Sequence, residues 1–425
     1  MKKVFCCLVI LLFLVFFTGC FNSDKTLENE KINKHEFQDI LEQIDINNYI
    51  PLDEYYIYGK HFNLKFKKNS IADFNEVKVV LKNDEQEFTF NLYEDEGYYK
   101  TSEYLNMGIN LEKVPVGNYI ILIKTIKDDV KTYYNLVNNT SYSDLDYYTM
   151  TKNGKNNHIT MKFLSYNNSY YFRLNCVEEK LPEDVYDVVL DPGHGGNDSG
   201  AVNGKYKEST INLEYGLMLK EALEDIGLKV KMTREENINP GFYGKNTRTG
   251  IPYEAHAKLM LSLHLNSTNT YIKTPGIEVY TAYGDDYTFA STIAKNIITE
   301  TKTDYSNNPL NRVSDGVYMR VYSKDDINTS HKKAKKGNYE PYDIDSTTTY
   351  YYFIRETGGY MTKGFNDGRN PDYDENIYRK NNIGVEAYLV ELGYISSGSN
   401  LKTILNNKES YVRALKNSIL EYINN

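Results

Sequence analysis

The sequence predicts an α/β protein: a C-terminal, largely parallel sheet flanked by helices, preceded by a smaller all-β domain. Two observations carry this expectation. Beyond residue 185, compact apolar strands alternate with segments whose apolar residues recur every three or four positions, as in a layered strand–helix fold. Between about 48 and 181 the period is instead close to two, with turn residues separating short segments. The 425 residues suffice for two domains of ordinary size.

The first segment sets Lys2 and Lys3 before an unbroken apolar run over 4–17, followed by Thr18-Gly19-Cys20. A charged start, a run too short to span a bilayer comfortably and a small-residue exit read as an export signal over 1–19. Phe17-Thr-Gly-Cys20 resembles a bacterial lipobox, with phenylalanine where leucine is usual. Cys20 would then be the lipidated first residue of a mature lipoprotein, held at the outer face of the cytoplasmic membrane. An uncleaved membrane anchor is the alternative, and either places the bulk of the chain outside the cytoplasm. Cys6 and Cys7 fall in the signal and Cys20 takes the lipid, so Cys176 is left alone and no internal disulfide framework is expected. A formal charge of −9 argues against nucleic acid or an anionic lipid surface as the main partner.

Residues 20–47 are polar and charged, a tether with one short helix around 35–44. His35-Glu36-Phe37-Gln38-Asp39 lacks the second histidine of a helical zinc pair, so it is no metalloprotease motif. Strands are expected at 62–66, 77–81, 88–92 and 119–124, the first with Phe62, Leu64 and Phe66 on one face. Asn153-Gly154, between strands at 148–151 and 158–163, is a strong hairpin signal. This pattern over 48–181 suggests an immunoglobulin-like sandwich, serving either as a cell-wall contact or as a spacer.

From 182 to 425 the reading is one α/β domain. A strand at 185–190 ends at Asp191; Ile211, Tyr215, Met218, Ala222 and Ile226 then mark a helix that Gly227 stops. Leu228, Val230 and Met232 alternate as a second strand, and 258–263 is a third, apolar on both faces. A fourth strand covers 277–281 and a helix follows through Phe289, Ala290, Ile293, Ala294 and Ile297. A fifth strand at 386–390 precedes a last helix through Val412, Leu415, Ile419 and Tyr422.

Four residues stand at this sheet's edge. His194, in Asp191-Pro-Gly-His-Gly-Gly, is expected just beyond the first strand, His264 beyond the third and Glu391 beyond the fifth; Glu208 opens the first helix. Strand ends and the starts of following helices share one edge of a parallel sheet, where open α/β folds bind ligands. Two imidazoles and a carboxylate are a well-attested ligand set for catalytic zinc, which keeps a fourth position for water. A further carboxylate can carry protons. No Gly-Lys-Ser/Thr follows the glycines, so a phosphate cradle is not indicated. Ser330-His-Lys-Lys333 fits S-x-x-K but lacks the Lys-Thr-Gly partner of penicillin-binding enzymes.

Residues 188–200, Glu208, the helix through Leu223, 230–234, Arg248, 261–267, 276–280 and 389–394 together resemble the zinc-dependent N-acetylmuramoyl-L-alanine amidases of the type-3 family. The likeness covers about 182–300 and 384–425. It implies that His194, Glu208 and His264 hold Zn2+ and that Glu391 is the catalytic acid/base. The implied substrate is peptidoglycan, cut between N-acetylmuramic acid and L-alanine. The chain departs from the family at Gly250-Ile-Pro-Tyr253, where an alanine-asparagine pair is usual. A long insertion at about 301–384, with a tyrosine run at 350–352, could be a substrate wall, a regulatory lid or a disordered loop. His256 reads as structural and His331 as solvated. The competing readings are another zinc metallopeptidase acting on the stem peptide, or a catalytically idle wall-binding lipoprotein.

Overall fold

The computed structural model describes residues 35–45, 47–90, 103–138, 144–167, 169–269, 273–338, 344–362 and 383–425. The export signal over 1–19, Cys20 and most of the tether over 20–47 lie outside them. The described residues divide between Gln43 and Ile44 into two units. In the first, Gln38–Gln43 make the short helix α1. No helix among the described residues is long and apolar enough to cross a membrane.

The second unit begins with β1 (Tyr49–Tyr58), β2 (His61–Lys67), β3 (Glu76–Lys82), β4 (Glu87–Phe90), β5 (Tyr104–Asn110), β6 (Gly117–Lys127), β7 (Val130–Asn138), β8 (Leu145–Tyr148), β9 (Asn157–Tyr166) and β10 (Ser169–Glu178). They pair in the order β5-β2-β1-β7-β6-β10-β9-β8, with β3 joining β6 to β4. Phe62, Leu64 and Phe66 are fully buried, as the period-two face requires. Asn153 and Gly154 both take positive φ, and Lys152 pairs with Lys155 across them. That is the backbone a two-residue hairpin turn needs. Cys176 is free and buried, its thiol pushed up to about 11 by burial.

The rest comprises β11 (Val188–Pro192), β12 (Val202–Asn203), β13 (Tyr206–Lys207), α2 (Glu208–Glu224), β14 (Val230–Met232), α3 (Ile251–Glu254), β15 (Leu259–Asn266), β16 (Glu278–Tyr280), α4 (Thr288–Thr301), β17 (Arg312–Ser314), β18 (Val317–Tyr318), α5 (Lys324–Gly337), α6 (Tyr352–Thr357), β19 (Ile383–Gly384), β20 (Glu386–Tyr394), α7 (Gly398–Asn406) and α8 (Lys408–Asn424). Their seven-stranded sheet runs β14-β11-β15-β20-β16-β18-β17. The first four strands are mutually parallel, and β16 runs antiparallel to β20.

Alternation along these strands sorts the core onto two faces. Val188, Leu190, Leu261, Leu263, Tyr388 and Val390 pack with residues of α2, α4, α7 and α8. Val189, Met260, Ala387, Leu389 and Tyr280 pack with Tyr253 of α3 and with Phe353 and Ile354 of α6. Both faces are therefore covered, which is why these strands read as continuous apolar runs. Far along the chain, β19 returns to the all-β stretch and pairs with β1.

Candidate metal centre

Adjacent parallel strands bring the two histidines together. The β11–β15 ladder reaches Pro192 opposite Leu263, and the Gly193 amide donates to the Leu263 carbonyl at 2.9 Å. His194 follows with φ 61, a conformation that turns the chain sharply beside His264. Gly193 is required by contact, because a Cβ there would meet the His264 ring at 2.3 Å. At Gly200, with φ 62, a Cβ would strike Glu208 and His194 at 2.6 Å.

Below this turn lies a buried polar clamp. Asp191 accepts from Thr233 Oγ1 and Ser262 Oγ, both at 2.6 Å, and from Arg248. Arg248 also donates to the carbonyls of Pro192 and His194, and Arg234 to those of Pro192, Gly193 and Ser209. Burial works against the Asp191 charge, but Arg248 and the two hydroxyls outweigh it and hold its carboxyl below the usual range. The glycine turn is thus fixed from beneath by its carbonyls.

Glu208, 3% exposed at the first position of α2, is the hub. Its Oε1 lies 3.1 Å from His194 Nε2 and 3.0 Å from His264 Nδ1, and accepts from the Leu265 amide at 3.0 Å. Its Oε2 accepts from the Ala201 amide at 2.8 Å. Burial opposes its charge, yet the two histidines hold the carboxyl far below the usual range. His194 Nδ1 sits 2.8 Å from Asp198 Oδ2, the outer carboxylate that commonly orients a ligating imidazole. Ligand atoms of His194, Glu208 and His264 all lie within 4.8 Å of one another. Two atoms each about 2.05 Å from one tetrahedral ion stand roughly 3.3 Å apart, so separations of 3.0 and 3.1 Å suit an ion at their centre. This group could bind a metal. Neither His256 nor His331 belongs to it, and His331 is exposed on α5.

Glu391 comes to the same place without joining the group. The β15–β20 register sets it opposite His264, and parity puts both on the sheet face that bears Asp191 and Tyr280. Glu391 is 8% exposed and its Oε2 is buried without a hydrogen-bond partner among the described residues. Burial first, then the charges of Glu208 and Glu278, push its carboxyl well above the usual range. Both His264 and Glu391 lie within their strands rather than just beyond them. The ladders continue past the apolar runs, because Glu391 is paired with His264 on one side and Glu278 on the other.

Sequence reasoning missed two contributors. Glu278, fully buried, accepts from Asn266 Nδ2 at 2.9 Å and from the hydroxyls of Tyr280 and Tyr394. An acid inside the apolar run 277–280 was its one signal. The second is what the tyrosine run at 350–352, itself visible in the sequence, packs against. Tyr351 packs on Tyr280 at 4.9 Å between centroids, and its hydroxyl is pushed up to about 12 by burial and then by Glu391. Tyr352 packs edge-on against Phe242 and Tyr243, and burial followed by the charge of Asp191 raises its hydroxyl.

Residues 188–332 match the family model described as Amidase_3, N-acetylmuramoyl-L-alanine amidase. This segment belongs to the type-3 N-acetylmuramoyl-L-alanine amidase family. The germination-specific N-acetylmuramoyl-L-alanine amidase of Bacillus subtilis is 31% identical over 138 residues, 30% of this chain and 57% of that protein. AmiC of Escherichia coli is 41% identical over 83 residues, 19% of each chain. The chain therefore spans little more than half of the first of these relatives and less of the second. Among solved structures, the catalytic domain of CwlV, an amidase from Bacillus (Paenibacillus) polymyxa, is 21% identical, with a TM-score of 0.37 over 56% of this chain and 99% of that one. The amidase-family segment contains His194, Glu208 and His264, whereas Glu391 follows it on β20.

Proposed function

We propose that this chain is a zinc-dependent peptidoglycan hydrolase that cleaves the amide between N-acetylmuramic acid and L-alanine. The observation that carries the reading is the His194–Glu208–His264 group, its ligand atoms within 4.8 Å of one another, with Glu391 on the neighbouring strand holding a buried oxygen that has no hydrogen-bond partner among the described residues. Three ligands leave the fourth position that a hydrolytic zinc site keeps open.

His194, Glu208 and His264 would hold the ion, with Asp198 fixing the His194 ring and the Leu265 and Ala201 amides fixing Glu208. Zinc bound there supplies a Lewis acid for the carbonyl and lowers the pKa of water to about 7. Glu391 takes the proton of the attacking water. As the water oxygen bonds to the lactyl carbonyl carbon and the C–N bond breaks, Glu391 returns that proton to the departing L-alanine nitrogen. Its orphaned oxygen and raised proton affinity suit a group that must hold a proton between these two moments.

Around this centre we assign 1–19 to a signal, Cys20 to lipid attachment at the outer membrane face, 20–47 to a tether, 48–181 to an immunoglobulin-like module and 182–425 to the catalytic domain. Mass spectrometry of digested cell wall tests the activity. Peptide-free glycan together with intact stem peptides is the expected product. Cleavage within the stem peptide, or none by zinc-loaded chain, would overturn the assignment.

A further inference from the structure

The turn after β18 brings a cation to the face of the sheet that carries His264 and Glu391. Arg320 follows β18, whose Tyr318 is paired with Tyr280 of β16, and Tyr280 lies opposite Leu389 of β20. Its guanidinium stacks on Tyr350 at 3.8 Å, and its carbonyl accepts from the Tyr350 amide at 2.8 Å. Its guanidinium carbon also lies 5.8 Å from the ring centroid of Tyr351, the tyrosine packed on Tyr280.

Arg320 is half-buried, and among the described residues no carboxylate lies within ion-pair distance of it. The acid that senses it, Asp326, is committed to the Ser323 cap of α5. The other buried arginines are occupied: Arg248 by Asp191, Arg355 by Glu356 and backbone carbonyls, and Arg234 by carbonyls. A guanidinium held flat on an aromatic ring keeps its forked donors in a fixed plane, the geometry that recognises a carboxylate.

We propose that Arg320, seated on Tyr350 and Tyr351, is the receptor for a carboxylate of the peptidoglycan stem peptide and makes the turn after β18 a substrate-specificity element. This rests on the amidase reading and adds to it the part of the substrate that the chain selects. Arg320 is a positioning residue: it fixes the peptide on the leaving side of the scissile amide and exchanges no proton.

The test uses the full-length chain and three soluble muropeptides: one with its stem carboxylates free, one amidated on the second stem residue and one amidated at the peptide C-terminus. Wild type should favour the free form over one of the amidated forms by roughly tenfold to a hundredfold in KM, with kcat little changed. Which amidation matters identifies the carboxylate. Arg320→Gln should raise KM for the free form to that of the disfavoured amide and leave the latter unchanged, with Arg320→Lys restoring part of the difference. Equal KM for all three muropeptides with wild type would overturn the proposal, as would an Arg320→Gln loss equal for all three. The wild-type comparison needs no variant, so a misfolded mutant cannot rescue the idea. Calorimetric binding of the same muropeptides separates this claim from the one beneath it. Carboxylate preference without hydrolysis would sink the amidase reading and keep the receptor; hydrolysis without preference would do the reverse.

Discussion

Replacing Gly193 by alanine places one methyl group against the metal centre. The added Cβ would lie 2.3 Å from Cε1 and Nε2 of His264 and 2.7 Å from its Cδ2. An ordinary contact is about 3.5 Å, so the ring must retreat by roughly 1.2 Å. Neither side can give way easily. The Gly193 amide is tied to the Leu263 carbonyl and its own carbonyl to Arg234, while His264 stands between Glu208 and the β20 ladder. Metal–ligand distances tolerate about 0.2 Å, so the displacement exceeds the tolerance about sixfold. Disturbing an outer-shell partner alone costs 10- to 100-fold in affinity, and this change moves a ligand itself. Gly193→Ala should therefore weaken zinc binding by at least about 100-fold. The fold should survive, because overpacking of this kind costs roughly 1–3 kcal/mol. Competition against a chelator measures the first quantity and urea unfolding of metal-free chain the second. Zinc affinity within threefold of wild type would refute the steric argument.

Two further outcomes follow from buried charges away from the reaction. Asp191→Asn leaves Arg248 buried without its counter-charge, so urea unfolding of the metal-free chain should show a loss of about 3–5 kcal/mol. Because the Asp191 carboxyl is held low, its stabilisation is present above the ordinary carboxylate pKa and lost as pH falls through the depressed value. A variant with an unchanged acid limb would contradict this. Glu386 behaves oppositely. Burial outweighs the Tyr388 and Tyr422 hydroxyls and pushes its carboxyl from 4.5 up to about 7. The stability it confers is full below pH 4.5 and declines by about 3 kcal/mol as pH rises through 7. Glu386→Gln should flatten that part of the unfolding profile, and an unaltered slope would count against the assignment.

The layers of the fold were legible because burial writes periodicity into sequence. Val189 and Met260 face one side while Val188, Leu190 and Leu261 face the other, so those strands read as unbroken apolar runs. Strand direction is not written that way. Nothing in the three residues of β16 marks it as the strand that runs antiparallel to β20 in an otherwise largely parallel expectation. Strand ends were misjudged for a related reason. His264 and Glu391 are polar, so the apolar pattern stops before them although the ladder does not. The convergence of His194, Glu208 and His264 was readable only from their joint placement at one sheet edge, since each of them alone has a commoner structural use. Glu278 and Arg320 were not, since each acts through tyrosine contacts that only the folded chain assembles. The run 350–352 carries no period, and α6 begins without a side-chain cap to announce it.

On the proposed reading, His194, Glu208 and His264 hold the ion while Glu391 only moves protons. Elemental analysis of purified full-length chain, paired with wall digestion, tests it directly. Wild type and Glu391→Gln should each carry one zinc per chain, with hydrolysis lost only in the variant, whereas His264→Ala should carry none. Zinc lost from Glu391→Gln, or retained in full by His264→Ala, would contradict it.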